Sequence, residues 1–291
     1  MQIITPPAWD KYSLLDSGNG KRFERFGQYS LVRPDPQALW RPHLQQNEWH
    51  KADATFDETG GRGRWITKKV PEKWEITWND LTFYAKLSPF KHTGIFPEQT
   101  INWEWLTDKI ANRKLLANGR KPNILNLFAY TGGASLVCAK AGASVTHVDA
   151  SKPTIGWARE NQTLSGLDDR PIRWILDDAM KFVEREVKRG LRYDGIIMDP
   201  PVYGHGPNRE VWDFTSSFPE LMNLCRKALS DTPMFVLINA YAISASSLML
   251  ENVLADFSKG LGGTIEVGEL ALQEEGTKRL LSTGIFGRWS K

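Results

Sequence analysis

Four short segments of the sequence carry residue types that could do chemistry, and each follows directly on an apolar run. They are Phe128-Ala129-Tyr130-Thr131-Gly132-Gly133, Asp149-Ala150-Ser151, Asp177-Asp178-Ala179 and Asp199-Pro200-Pro201. The Gly pair lets the backbone come close to a ligand, and the helix after it offers unpaired N–H groups to a carboxylate or phosphate. A tight strand-to-helix turn would use the same two glycines. Asp149 can accept both hydroxyls of a ribose, as the acidic residue closing the second strand does in dinucleotide folds. Its plainer role is to cap the next helix together with Ser151, just ahead of Pro153. Asp178 with the N–H of Ala179 could meet the polar edge of an adenine; Asp177 is equally placed, and helix capping again competes. Consecutive prolines after Asp199 fix an extended backbone and remove two donors. The carbonyl oxygens and one carboxylate then form a rigid rim suited to the N–H protons of a flat base. Neither a G-x-G-x-x-G nor a G-x-x-x-x-G-K-[ST] spacing follows the first run, so a dinucleotide or triphosphate is not the expected guest.

Strands and helices must alternate to bring these segments together. Apolar runs predict strands over 124–127, 144–149, 172–176, 193–198 and 234–239, with helices near 133–141, 153–165, 179–189, 216–229 and 246–257. A further helix is predicted over 96–118, where Ile101, Trp105, Ile110 and Leu115 recur near helical spacing. Runs such as Gly195-Ile196-Ile197-Met198 suit central parallel strands covered on both faces. Two final strands, 264–272 and 280–289, are joined by a short linker and pair antiparallel. The expected fold class is α/β: a doubly wound, Rossmann-like sheet of seven strands with a C-terminal antiparallel hairpin. In such a sheet ligands sit outside the carboxyl ends of the strands, where all four segments fall.

Residues 1–95 read differently. Short alternating runs broken by Gly, Asn and Pro, with Trp74, Ile76 and Trp78 on one face, predict a small antiparallel β-domain ahead of the domain at 96–291. Eight of the 12 tryptophans precede residue 106, so the two parts do different work. Most of them fill the core of the small domain. The segment 60–69 sets Arg62, Arg64, Lys68 and Lys69 around Trp65, suiting phosphate contact with base stacking or, equally, a solvated hairpin.

The 291 residues suffice for a large domain plus a smaller one, and the net charge of +3 permits a nucleic-acid partner without demanding one. No apolar run reaches membrane-spanning length, and the first residues lack a secretion signal, so the cytoplasm is the expected compartment. Only two cysteines occur, Cys138 and Cys225, both on predicted helices and expected as buried thiols, not as a disulfide or metal site.

Together "NLFAYTGGASL", "VDAS", "DDA" and "MDPPVYG" resemble the class I S-adenosylmethionine-dependent methyltransferases. More narrowly, the set is similar to the bacterial group related to the large-subunit ribosomal-RNA cytosine and guanine methyltransferases. The segment "FKHTGIFPEQ" at 90–99 is similar to a Thr-Gly-x-Phe-x-x-Gln element of that group, and the likeness spans roughly 90–290. The resemblance implies S-adenosyl-L-methionine as cofactor and RNA, above all ribosomal RNA, as substrate. It implies that Phe128, Ala129, Tyr130, Thr131 and Gly132 hold the methionine part. Asp149, with Ala150 and Ser151, would bind the ribose, and Asp178 with Ala179 the adenine. Asp199 would lie near the transferring methyl, Pro200 and Pro201 would shape the acceptor rim, and Phe96 and Gln99 would close the pocket.

Two departures from the family pattern narrow the chemistry. The first loop lacks the acidic-x-Gly-x-Gly form. Covalent C5 methylation of cytosine needs a Cys at the end of strand four or five, and neither "DPPVYG" nor "NAYAIS" has one. Transfer to a ring or exocyclic nitrogen is the expectation that remains, with Tyr203 stacking on a base and His205 nearby, either catalytic or a solvated loop residue. Val202 separates Tyr203 from the prolines, unlike the amino-methyltransferase pattern. A protein or small-molecule acceptor, and a non-catalytic RNA-binding protein that retained the fold, are the competing readings. Monomer and homodimer both stay open.

Overall fold

A computed structural model describes residues 2–58, 63–68, 70–112, 119–241 and 243–291. Two compact units emerge: one of Met1–Ile4, Asn102–Leu270 and Gly284–Lys291, the other of Thr5–Ile101 and Ala271–Thr283.

In the larger unit five parallel strands, Asn123–Leu127, Ser144–Asp149, Ile172–Leu176, Gly195–Met198 and Phe235–Ala240, alternate with helices. The strand order from one edge is third, second, first, fourth, fifth, so the chain winds outward to both sides from Asn123–Leu127. The switch point lies between the first and fourth strands, whose ends carry Phe128 and Asp199. Leu125, Leu127, Ile196, Met198, Val236 and Ile238 form a core with Phe182, Phe218, Leu221 and Leu254 from the helices. That arrangement explains why the strands read as unbroken apolar runs. Leu280–Ser290 pairs antiparallel with Phe235–Ala240, and Thr264–Gln273 follows it in the order.

Among the described residues the sheet has eight strands where seven were expected, because Gln2–Ile4 pairs parallel with Thr264–Gln273 at the edge. Three residues are too few to show a period, so no pattern marks this strand. The helix expected over 96–118 begins as a 3-10 turn, Pro97–Gln99, and runs as Thr100–Ala111; residues 113–118 lie outside the described set.

The smaller unit is mixed, not purely antiparallel. Tyr12–Gly18, Lys21–Phe26 and Tyr29–Pro34 form an antiparallel meander, but Tyr29–Pro34 and Ala54–Asp57 pair parallel. The long connection between them, with the short helix Gln46–Trp49, lets the chain return in the same direction. Arg64–Thr67 completes that sheet, and Lys73–Trp78 pairs with Leu81–Lys86 as a separate hairpin. Trp74, Ile76 and Trp78 are buried on one face, as their spacing predicted. A two-residue turn at Asn19-Gly20, both at positive φ, closes the first hairpin. At its centre Glu24 accepts two hydrogen bonds from Arg33, at 2.7 and 2.8 Å, and one from the Tyr12 hydroxyl at 2.8 Å.

Candidate active site

The first loop is held in a conformation that ordinary residues avoid. Phe128 has φ 53°, Tyr130 φ 50° and Gly132 φ 88°. Left-handed backbone costs about 1–2 kcal/mol per non-glycine residue, so surrounding bonds must impose it. They are visible: the N–H of Ala129 donates to the Val148 carbonyl at 3.1 Å, and the N–H of Tyr130 to Asp149 Oδ2 at 2.9 Å. The Asn161 side chain donates to the Thr131 carbonyl at 3.0 Å. Gly132 is the N-cap of the helix Gly133–Lys140. Gly133 serves packing instead of ligand approach, since a Cβ there would stand 2.4 Å from the Trp103 ring.

Asp149 ties the loop to the second strand. Its Oδ1 accepts the N–H of Ser151 at 2.9 Å while Oδ2 holds Tyr130. Burial pushes its carboxyl up from the ordinary value, and the backbone N–H groups of Ser151, Tyr130 and Ala150 pull it back in part. The capping role falls to Ser151, whose hydroxyl accepts from the N–H of Thr154, so Asp149 is not the cap. At the third strand the two acidic candidates separate. Asp177 pairs with Arg185, and its N–H donates to the Asp149 carbonyl at 3.1 Å. Asp178 is buried and caps Ala179–Lys188 by accepting the N–H of Lys181 at 3.0 Å.

Beneath the loop lies a polar network that sequence reasoning missed. Asn126 donates to Ser135 Oγ at 2.9 Å, Ser135 Oγ meets His147 Nδ1 at 3.0 Å, and the His147 ring lies tilted against Trp174, 4.6 Å between centroids. Asn126 and His147 are register partners on adjacent strands, as are His147 and Trp174. Burial lowers the His147 pKa to about 3, so the ring is neutral. The lone asparagine in the apolar run Ile124-Leu125-Asn126-Leu127 was the signal available.

After Asp199-Pro200-Pro201 the chain forms a small hairpin, Tyr203–His205 paired antiparallel with Val211–Asp213. Tyr203 and His205 stand on its exposed face, their rings 5.3 Å apart and nearly perpendicular; Tyr203 is 57% exposed. Trp212 is buried on the other face. Asp213 caps the helix Phe214–Ala228.

The structure thus joins the ends of the first three parallel strands directly, and the fourth joins them through Trp212, which packs on Phe128. Phe96 and Gln99 belong to the other compact unit, where the N–H of Gln99 donates to the Phe96 carbonyl at 3.0 Å. Cys138 and Cys225 are buried in helices, and burial raises both thiols well above the ordinary range. Of the basic segment, Arg62 and Lys69 lie outside the described residues. Trp65 is pinned by its indole N–H on the Ser88 carbonyl at 2.7 Å and by Phe56, a structural role. Among the described residues no His, Cys, Asp and Glu cluster could hold a metal ion, and no helix is long and apolar enough to cross a membrane.

The donor set speaks to the ligand. Residues 128–133, 149–151, 177–179 and 199–201 contain four aspartates and no lysine or arginine. Asp177 is paired with Arg185, and the other three aspartates disfavour a phosphorylated guest and suit a cationic one. Asp149, with its orientation fixed by two N–H groups, fits a ribose diol. The fold is that of a doubly wound α/β domain, and the carboxylates at its strand ends favour a positively charged ligand.

Comparison with known proteins gives the chemistry its name. Residues 53–259 match the S-adenosylmethionine-dependent methyltransferase family. A SAM-dependent methyltransferase from Agrobacterium tumefaciens, known from its crystal structure, is 42% identical over all of this chain and 93% of its own, with a TM-score of 0.94. The chain belongs to the S-adenosylmethionine-dependent methyltransferase family, and its cofactor is S-adenosyl-L-methionine. The ribosomal RNA large subunit methyltransferase K/L of Shewanella frigidimarina is 32% identical over 159 residues, 54% of this chain and 21% of that one. The ribosomal RNA large subunit methyltransferase K of Neisseria meningitidis serogroup B is 26% identical over 220 residues, 74% of this chain and 57% of its own. The chain therefore spans about a fifth of the first relative's length and somewhat over half of the second's.

Proposed function

We propose that this methyltransferase acts on a nitrogen of a base in RNA, ribosomal RNA being the leading acceptor, in the cytoplasm. The observation that carries the reading is the pairing of a carboxylate-rich cofactor rim with an exposed aromatic hairpin one residue beyond Asp199-Pro200-Pro201. The two relatives named for ribosomal RNA support the acceptor class.

The cofactor supplies an electrophilic methyl group on a positively charged sulfur. The chain's own residues do the rest by holding and orienting. Residues 128–132 seat the methionine part, and Asp149, with Ala150 and Ser151, takes the ribose hydroxyls. Asp178 and the N–H of Ala179 meet the adenine. Asp178 is favoured over Asp177 because Arg185 already neutralises Asp177. Asp199, with the Pro200 carbonyl, accepts hydrogen bonds from the N–H groups of the acceptor nitrogen and aims that nitrogen's lone pair at the methyl, while Pro201 shapes the rim. Tyr203 stacks on the acceptor base. The small β-domain at residues 1–95 contributes substrate recognition. With both thiols buried, no covalent cysteine route is offered.

The test is nucleoside mass spectrometry of total RNA from a strain lacking the gene and from its parent. One N-methylated nucleoside should disappear and return when purified protein is added to the deficient RNA. Intact RNA modification together with methylation of a protein or metabolite pool would move the acceptor to that class. Cofactor binding without transfer to anything would favour a non-catalytic RNA-binding protein.

A further inference from the structure

We propose that Trp212 is a positioning residue that couples the cofactor loop to the acceptor rim. The inference rests on the acceptor reading of Asp199-Pro200-Pro201 and adds the element that holds this rim in register with the cofactor.

Three observations converge on Trp212. Its indole N–H donates to the Pro201 carbonyl at 2.7 Å, a short hydrogen bond across the hairpin. Its ring lies 4.8 Å from that of Phe128, tilted 56°, so one side chain touches both sides of the switch point. It is also buried opposite Gly204, in a hairpin whose other face carries the exposed Tyr203 and His205.

The local chemistry explains why such a link is required. Pro200 and Pro201 have no N–H, so this stretch cannot be fixed by donating backbone bonds and must be held through its carbonyls. The ladder of the hairpin is only three pairs long, too short to set its own orientation. Its other tethers include the N–H of Phe214 on the Val202 carbonyl at 2.9 Å and Lys181 on Glu210 at 2.8 Å. The second of these is an ion pair near the hairpin tip whose Lys181 end is exposed, so solvent weakens it. Phe128 sits at φ 53°, where its conformation depends on what packs against it. A ligand that presses on or relaxes the first loop therefore acts on Trp212. Trp212 passes that change to the Pro201 carbonyl and to the face bearing Tyr203.

The test uses the whole chain and S-adenosylhomocysteine alone, so it does not depend on knowing the acceptor. Amide hydrogen exchange is followed by mass spectrometry over residues 203–213, with and without the ligand. In the wild type, ligand binding is expected to slow exchange there at least threefold. Trp212→Phe keeps a ring against Phe128 and removes the donor. It should keep the ligand affinity within about threefold and lose most of the protection at 203–213. Phe128→Leu, which keeps the donor and removes the ring contact, should lose the protection as well and reports independently if Trp212→Phe does not fold. A merely structural tryptophan would lower the melting temperature and leave the ligand response intact. That result, or a wild-type hairpin indifferent to bound ligand, overturns the coupling. Failure to find any methylated RNA, with the exchange response present, would count against the acceptor reading and leave the coupling standing.

Discussion

Asp149→Asn is the substitution that strikes the centre of the site. In the wild type Oδ1 and Oδ2 each accept one backbone N–H at 2.9 Å, from Ser151 and Tyr130. An amide keeps one acceptor and places an NH2 group against the other N–H, so one charge-assisted bond is lost and two donors face each other. That costs about 1.5–3 kcal/mol. It falls on a loop where Tyr130, at φ 50°, depends on this bond to stay in place. Weakened acceptance of a ribose hydroxyl adds about 1 kcal/mol. At about 1.4 kcal/mol per decade, the sum of roughly 2.5–4 kcal/mol raises the Kd for S-adenosylhomocysteine about 60- to 700-fold. Isothermal titration calorimetry reads this directly, with a thermal melt to show that the variant is folded. A folded variant binding within threefold of wild type would refute the assignment. The pH dependence is a second check. Burial raises the Asp149 pKa above its ordinary 3.8, so the group takes up its proton early as pH falls. A protonated carboxyl donates where it should accept, and ligand affinity drops through that raised value. Stability runs the other way: the folded state binds this proton more tightly than the unfolded one, so the Asp149 contribution improves as pH falls. The Asn variant should show neither limb.

Other predictions follow from individual contacts. Gly132→Ala forces a side chain into φ 88° with its Cβ 3.1 Å from that of Ala158. A loss of about 1–2 kcal/mol is expected in urea denaturation, and an unchanged midpoint would contradict it. Arg33→Met leaves the buried Glu24 without its bidentate partner, and a loss of about 3–5 kcal/mol is expected. Burial alone would raise the Glu24 pKa, but Arg22 and Arg33 hold it below its ordinary 4.5. The pair therefore stabilises fully above 4.5 and is lost as pH falls through the lower folded value, a limb that Arg33→Met should flatten. Native protein should resist maleimide at Cys138 and Cys225, and the double alanine variant should keep methyl transfer. Loss of transfer in a folded double variant would revive a covalent route. His147, lowered to about 3 by burial, should show no titration by NMR between about pH 5 and pH 8.

Much of this protein is local and therefore legible in its sequence. The length of an apolar run and its abrupt end in Asp149, Asp178 or Asp199 are properties of a few neighbouring residues. Parallel strands buried on both faces have to look that way, so five strands and their helices can be read without coordinates. Absent phosphate-loop glycines and absent rim cysteines narrow the chemistry in the same local manner. What only tertiary structure decided depends on residues distant in sequence. Gln2–Ile4 became a strand because Thr264–Gln273 offered an open edge, not because of any pattern of its own. Tyr29–Pro34 and Ala54–Asp57 run parallel because the segment between them carries the chain back. Gly133 is a glycine on account of Trp103, thirty residues earlier. Asp177 and Asp178 are indistinguishable as letters; Arg185 and the Lys181 N–H separate them. Trp212 gave no signal at all, since its meaning lies in the Pro201 carbonyl on one side and the Phe128 ring on the other. Sequence fixes which groups stand at the ends of strands. Packing decides which of them remain available to a ligand.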